Sequence, residues 1–78
     1  MTLHQLNIFR AVARHLNFTR AAKEIHLSQP SVSMQVHQLE DELGISLFEQ
    51  VGKRVYLTEA GKILEGYVHR VMALLEET

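Results

Sequence analysis

Apolar positions in the centre of the chain recur at steps of four, three and four residues. That spacing predicts an amphipathic helix whose buried stripe is Val32, Val36, Leu39 and Leu43. At roughly 100° per residue, the opposite side of this helix is mostly polar or weakly apolar. It consists of Pro30, Met34, His37, Gln38 and Asp41, with Ser31 and Ser33 on its flanks.

The ends of this helix carry clear signals. Ser28 is an N-cap residue, Pro30 lies in the first turn where a missing N–H costs nothing, and Gly44 follows the last turn. A shorter helix, capped by Thr19, precedes it. Its packing residues are Ala21, Ala22 and Ile25. Two helices joined by so short a turn are typical of a DNA-binding helix-turn-helix. An ordinary helical hairpin with a solvated face explains the periodicity equally well.

The segment before these helices predicts another helix. Thr2 and Gln5 form a capping box, and the helix runs to about His15. Its expected buried stripe is Leu3, Leu6, Phe9, Val12 and Leu16.

The segment after Gly44 changes character. Residues 47–50 and 54–57 form two short extended pieces around a glycine-containing turn, which predicts a β-hairpin beside the helix-turn-helix, or wing. Its tip, residues 52–54, suits contact with phosphate or the minor groove. Taken in isolation, a plain exposed hairpin whose Lys53 and Arg54 serve solubility is the simpler explanation.

A last helix, capped by Thr58, runs to the end of the chain. Its apolar positions again step by four, three and four, which predicts a seam that pairs two chains. The seam residues are Leu64, Val68, Val71 and Leu75. A stripe packed on its own domain is the alternative. The expected fold is mainly α, with a winged helix-turn-helix over residues 1–57 and a dimerising linker helix over residues 58–78.

Composition limits the class of protein. The 78 residues are 46% hydrophobic and form one small domain with a modest core. There is no cysteine, which excludes disulfides and cysteine-ligated zinc. Without an apolar run long enough to span a bilayer, we expect a soluble cytoplasmic protein, associated with the nucleoid and not with a membrane.

Charge is unevenly distributed, although its total is only −1. Residues 1–39 contain four basic groups and one acidic group, whereas residues 40–78 contain four basic and eight acidic groups. The basic half therefore coincides with the predicted DNA-facing elements, and affinity for phosphate should be moderate unless two chains act together.

An enzyme is not expected. No two of the five histidines have the three- or four-residue spacing of a helical metal site, and nothing joins a nucleophile to a base. Gly44 to Lys53 is too long for a phosphate loop, and Arg54 replaces the required Ser or Thr. A winged helix that binds only proteins is the remaining alternative, and salt-sensitive DNA binding would exclude it.

An ordered series of short motifs covers essentially the whole chain. It comprises Leu3-x-x-Leu6-x-x-Phe9, Phe18-Thr19-x-Ala21-Ala22, residues 27–33, Leu39-Glu40, Leu43-Gly44, Leu47-Phe48 and residues 57–61. This series resembles the DNA-binding domain of LysR-type transcriptional regulators. The resemblance implies a dimer on an interrupted palindrome in double-stranded DNA, and a tetramer for the full-length protein. It also implies a small-molecule coinducer that binds an effector domain absent from this chain, with no cofactor or metal in the domain itself.

The resemblance further implies which residues meet DNA. Base contacts would come from the front of the second helix, namely Gln29, Pro30, Ser31, Ser33 and Met34. Backbone or groove contacts would come from Arg20, Ser28, His37, Gln38, Lys53 and Arg54, with Arg54 reaching the minor groove.

Two positions depart from the commonest LysR-type pattern, because many members have Arg or another polar base-reader in place of Met34, and Arg in place of Gln50. Methionine offers a soft apolar contact, such as one to a thymine methyl, and so we expect half-sites that favour A·T pairs. Three segments are most similar to regulators of carbon-dioxide-fixation operons. They are residues 33–36, 47–50 and 53–57.

Overall fold

Four helices and a two-stranded antiparallel sheet follow one another along the chain in the computed structural model, which describes residues 1–76. The elements are α1 (Leu3–His15), α2 (Phe18–Glu24), α3 (Gln29–Leu43), β1 (Phe48–Val51), β2 (Arg54–Leu57) and α4 (Glu59–Glu76). The winged helix-turn-helix predicted from the sequence is thereby confirmed. The last two residues of the predicted linker helix, 77 and 78, lie outside the described residues.

The predicted caps are present in all but one case. Thr2 and Gln5 form a reciprocal capping box at the start of α1, with N–O distances of 3.1 and 3.2 Å. Ser28 caps α3, and Gly44 ends it in the left-handed conformation with φ of 70°. The cap of α2 is Asn17 and not Thr19, because its side chain accepts a hydrogen bond from the backbone N–H of Arg20 at 2.9 Å.

The core consists of two connected clusters. The first joins α1, α2 and the front of α3 through Ile8, Ala11, Val12, Ala21, Ala22, Val32 and Val36. The second joins the rear of α3 to the wing and α4 through Phe9, Leu39, Leu47, Val68 and Met72. Two members of the predicted α1 stripe are not buried, since Leu3 at the first turn and Leu16 after the last turn are exposed. Leu43, the last residue of the α3 stripe, is also exposed.

Phe48 connects both clusters at the base of the wing. Its ring lies 5.4 Å from that of Phe9 and 5.9 Å from that of Phe18, in tilted and edge-on arrangements. Strand pairing then extends from Phe48 opposite Leu57 to Val51 opposite Arg54. Gly52 turns the chain with φ of 61°.

Polar contacts join the ends of α1 and α2 at Glu24. His15 Nε2 lies 3.0 Å from Glu24 Oε1, and the Arg14 guanidinium pairs with the same carboxylate. Hydrogen bonds from His15 and then Arg14 lower the pKa of Glu24. Because this pKa is lowered by folding, the contact stabilises the fold above the carboxyl's unfolded pKa and is lost as pH falls through the folded value. No helix within residues 1–76 is both long enough and apolar enough to cross a membrane.

Candidate nucleic-acid interface

The front of α3 presents small and amphipathic side chains to solvent. Gln29, Pro30, Met34, His37 and Gln38 are exposed, and 52% of the Met34 surface is accessible despite its apolar character. Ser31 and Ser33 lie half-buried at the flanks of this surface. A protruding helix face without charged groups can enter a major groove and contact base edges.

Hydrogen bonds order the side chains of the same surface in the free protein. Ser28 Oγ accepts from the Ser31 backbone N–H at 3.2 Å, and its hydroxyl donates to Ser31 Oγ at 2.8 Å. The Gln29 amide Nε2 donates to Ser33 Oγ at 2.7 Å. Restricting the Gln29 side chain in advance reduces the entropy that it loses on binding.

Three cationic side chains on α2 and the wing have no carboxylate partner within residues 1–76. Arg20 on α2, and Lys53 and Arg54 on the wing, are exposed, and within residues 1–76 none of them forms an ion pair. By contrast, Arg14 pairs with Glu24, and Lys62 lies 3.5 Å from Glu59. These unpaired cations are available to contact phosphate.

A cleft of about 310 Å³ joins the three elements. Its polar lining comes from the start of α2, one side of α3 and the wing: Asn17, Thr19, Gln29, Ser33, His37, Gln50 and Lys53. The structure therefore brings α3 and the wing to one side of the molecule. Asn17 and Thr19 were not predicted to line the site; the sequence analysis assigned Thr19 to the α2 cap, a role that Asn17 takes in the structure.

The acidic side chains at the C-terminal end of α3 point in two directions. Asp41 and Glu42 are exposed at the end away from the cleft, and Glu42 pairs with the chain's N-terminal amine. Glu40 instead turns inward, where Oε2 accepts from the backbone N–H groups of Leu47 at 2.7 Å and Phe48 at 3.3 Å. Only the front half of α3 thus offers a surface that does not repel phosphate.

The predicted seam on α4 needs correction. Val68 is 1% exposed and belongs to the domain's own core, and half-buried Leu64 packs against it. Both side chains therefore stabilise the monomer, and that of Val68 is not available to a partner. Val71 and Leu75 remain 39% and 49% exposed.

A second apolar stripe occupies the outer side of α4. Ile63, Tyr67 and Leu74 are 61%, 58% and 63% exposed, and Arg70 lies over the Tyr67 ring at 5.5 Å. At roughly 100° per residue these three fall within about 40° of one another and at least about 100° from Val68. We call Ile63, Tyr67 and Leu74 the outer stripe.

No group of three or more His, Asp and Glu side chains within residues 1–76 is arranged to hold a metal ion.

Residues 3–62 match the family described as bacterial regulatory helix-turn-helix protein, lysR family. The chain belongs to this family. Its LysR-type relatives include the RuBisCO operon transcriptional regulator of Allochromatium vinosum, which is 58% identical over 77 residues, or 99% of this chain and 26% of that protein. The chain spans about a quarter of the length of the curated relatives that it matches.

Solved structures agree with this assignment of the LysR-type fold. The chain matches the crystal structure of the CbnR DBD–DNA complex with a TM-score of 0.92 and 36% identity, over 99% of this chain and 88% of that one. It matches the BenM DBD/benA site 1 DNA complex with a TM-score of 0.94 and 34% identity, over 99% and 86%.

These comparisons confirm the sequence-based identification of a LysR-type, winged helix-turn-helix DNA-binding domain of a transcriptional regulator. They place the LysR-type chain in a family of regulators and not of enzymes. They give no support to a winged helix that binds only proteins.

Proposed function

We propose that this chain reads an interrupted palindrome as a dimer, with α3 in the major groove and the wing at the minor groove of each half-site. The observation that carries the proposal is the exposed, uncharged face at the front of α3, which shares a cleft with Lys53, one of three unpaired cations on α2 and the wing. Phosphate contacts from Arg20, Lys53 and Arg54 position the domain, and α3 reads the bases. We infer that Gln29, Pro30, Ser31, Ser33 and Met34 meet base edges, and that Ser28, His37 and Gln38 contact the backbone.

Base preference follows from the donors and acceptors on α3. Gln29 retains its amide oxygen and a second N–H beyond the bond to Ser33, which suits the N6 and N7 atoms of adenine. Exposed Met34 suits a thymine methyl. We therefore propose A·T-leaning half-sites; recovery of G-rich half-sites in a binding selection would contradict this preference.

We propose that the dimer forms through the outer stripe of α4, with Val71 and Leu75 at its margin. Three large apolar side chains more than half exposed on one helix face are the observation that supports a second copy as the partner. A dimer also supplies the second set of phosphate contacts that a domain of net charge −1 needs.

For the whole protein, we propose a cytoplasmic, nucleoid-associated regulator of a carbon-fixation operon that is not an enzyme. The name of the Allochromatium vinosum relative and the 58% identity support the operon class. We also propose a tetrameric state and a small-molecule coinducer that acts outside this domain, since the curated relatives are about four times as long.

A mobility-shift titration on an interrupted A·T-rich palindrome tests the proposal, with a scrambled duplex as the control and salt as the variable. We expect preference for the palindrome, two protomers per duplex and binding that weakens steeply as salt rises. Equal retention of both duplexes at all salt concentrations would contradict specific recognition, and no retention even at low salt would favour a protein-binding role.

A further inference from the structure

Glu40 joins the recognition helix α3 to the base of the wing through one carboxylate oxygen. Oε2 accepts from the Leu47 N–H at 2.7 Å and the Phe48 N–H at 3.3 Å, at the point where β1 begins. The side chain is half-buried. Hydrogen bonds to an ionised acceptor are roughly twice as strong as neutral ones, so this is a strong link between two elements.

The same wing segment is held from the other side by the start of α4. The Thr58 N–H donates to the Leu47 carbonyl at 3.0 Å, and the Thr58 hydroxyl donates to the Ser46 carbonyl at 2.7 Å. The Leu47 side chain is buried between them in the core. Residues 46–48 are therefore held by hydrogen bonds from both α3 and the start of α4.

We propose, on the basis of the proposed function, that Glu40 is a positioning residue for DNA binding. Its carboxylate sets the angle between the wing and α3, so that Arg54 and the front of α3 can contact one half-site together. Glu40 itself does not touch DNA.

The length of the wing makes its tip sensitive to that angle. Phe48 and Val51 are three residue steps apart along the strand, about 10 Å, so a rotation of roughly 15° at the base displaces the tip by about 2.6 Å. A shift of that size removes a hydrogen bond, whose length range spans only about 0.5 Å. The link from Glu40 can therefore decide whether Arg54 reaches its contact.

The direction of the change in DNA affinity distinguishes a positioning role for Glu40 from simple electrostatic repulsion. Removing a carboxylate near DNA reduces repulsion from phosphate and should strengthen binding. The exposed neighbour Asp41, whose side chain forms no hydrogen bond or ion pair within residues 1–76, provides the matched control. We expect D41N to bind as well as the wild type or better, and E40A to bind about tenfold more weakly, the equivalent of one lost charge-assisted contact.

Residual dipolar couplings of the free protein test the geometric part without DNA. We expect the wing to change its average orientation relative to α3 in E40A, and to keep it in D41N. E40Q keeps a neutral acceptor and should show a smaller change, which guards against a variant that fails to fold. An unchanged wing orientation in E40A and E40Q would overturn the proposal.

A double-mutant cycle tests the functional part. In the wild type, R54A should weaken binding about tenfold, whereas in E40A it should cost little, because the wing contact is already lost. Hydroxyl-radical footprints should lose the protected flank at the wing while keeping the major-groove core. Equal costs of R54A in both backgrounds would overturn the positioning role. Absence of specific binding by the wild type would instead overturn the proposed function and the inference that rests on it.

Discussion

Helices α3 and α4 share a sequence pattern but divide their surfaces differently. Both have apolar residues at steps of four, three and four, and both bury part of that stripe in the domain core. The exposed side of α3 is uncharged at its front, where it is apolar only at Pro30 and Met34, whereas the exposed surface of α4 includes the apolar outer stripe. An uncharged polar face suits DNA, whereas an exposed apolar face is typical of a protein–protein interface. This difference supports the proposals that α3 contacts DNA and that α4 pairs with a second copy of the chain.

The largest expected effect comes from the buried face of α3. L39A should reduce the free energy of unfolding by about 3 kcal/mol, because Leu39 is fully buried and its truncation leaves a cavity. Urea denaturation at concentrations where the chain is monomeric measures this. The matched variant L74A removes the same atoms from an exposed side chain, and an equal loss there would contradict the division of α4 into two faces.

Next in size is the loss of the dimer. The double variant I63E/L74E should give a folded monomer that binds a two-half-site duplex about a hundredfold more weakly, because the second half-site contact is no longer linked to the first. Sedimentation velocity and a mobility shift measure the two effects.

A companion variant distinguishes the two faces of α4 directly. L64E places a charge at a half-buried position that packs against the core cluster of Val68 and should lower the free energy of unfolding markedly, since a carboxylate there loses solvation without a partner. A folded, monomeric L64E would restore the seam predicted from periodicity and remove the role assigned to the outer stripe.

A smaller effect is expected at the wing tip. R54A should lower affinity about tenfold and reduce the slope of log affinity against log salt by about 1, as expected for the loss of one phosphate contact. K62A removes a cation that already pairs with Glu59 on α4 and should leave the slope unchanged. Identical slopes for all three proteins would show that Arg54 does not approach DNA.

The smallest effect is expected on the stability of the monomer, from a substitution at Gly66 on α4. A side chain at Gly66 would meet no neighbour, so G66A should raise the stability of the monomer by about 0.5–1 kcal/mol through helix propensity alone. Thermal unfolding of a dilute sample measures this. A lower melting temperature would show that the backbone at Gly66 has a constraint within the monomer.

Local signals in the sequence predicted most of the fold. The capping box at Thr2, the caps at Ser28 and Thr58, and the Gly44 stop depend on a few neighbouring residues, and all are present. Asn17 and Thr19 are both residue types that cap helices, and in the structure it is Asn17 that accepts the Arg20 N–H. Where the signal is local, the sequence is sufficient to predict the structure.

The seam on α4 could not be assigned from periodicity because two apolar stripes coexist on the helix. The predicted seam, which contains Val68, and the outer stripe both recur at helical spacing. Only the position of α1 and the wing shows which of the two stripes enters the core. The inward orientation of the Glu40 side chain could not be predicted from the sequence either, since a row of acidic residues at a helix end indicates a solvated surface. The polar face of α3 was predictable because its composition, and not its packing, defines it.

The most direct test follows the backbone amides of the labelled protein by NMR in two titrations, one with an A·T-rich palindromic duplex and one by dilution. The account predicts that DNA shifts the resonances of residues 29–38 and 52–54, and that dilution shifts those of Ile63, Tyr67 and Leu74. DNA-induced shifts confined to the outer stripe, with α3 and the wing unchanged, would contradict it.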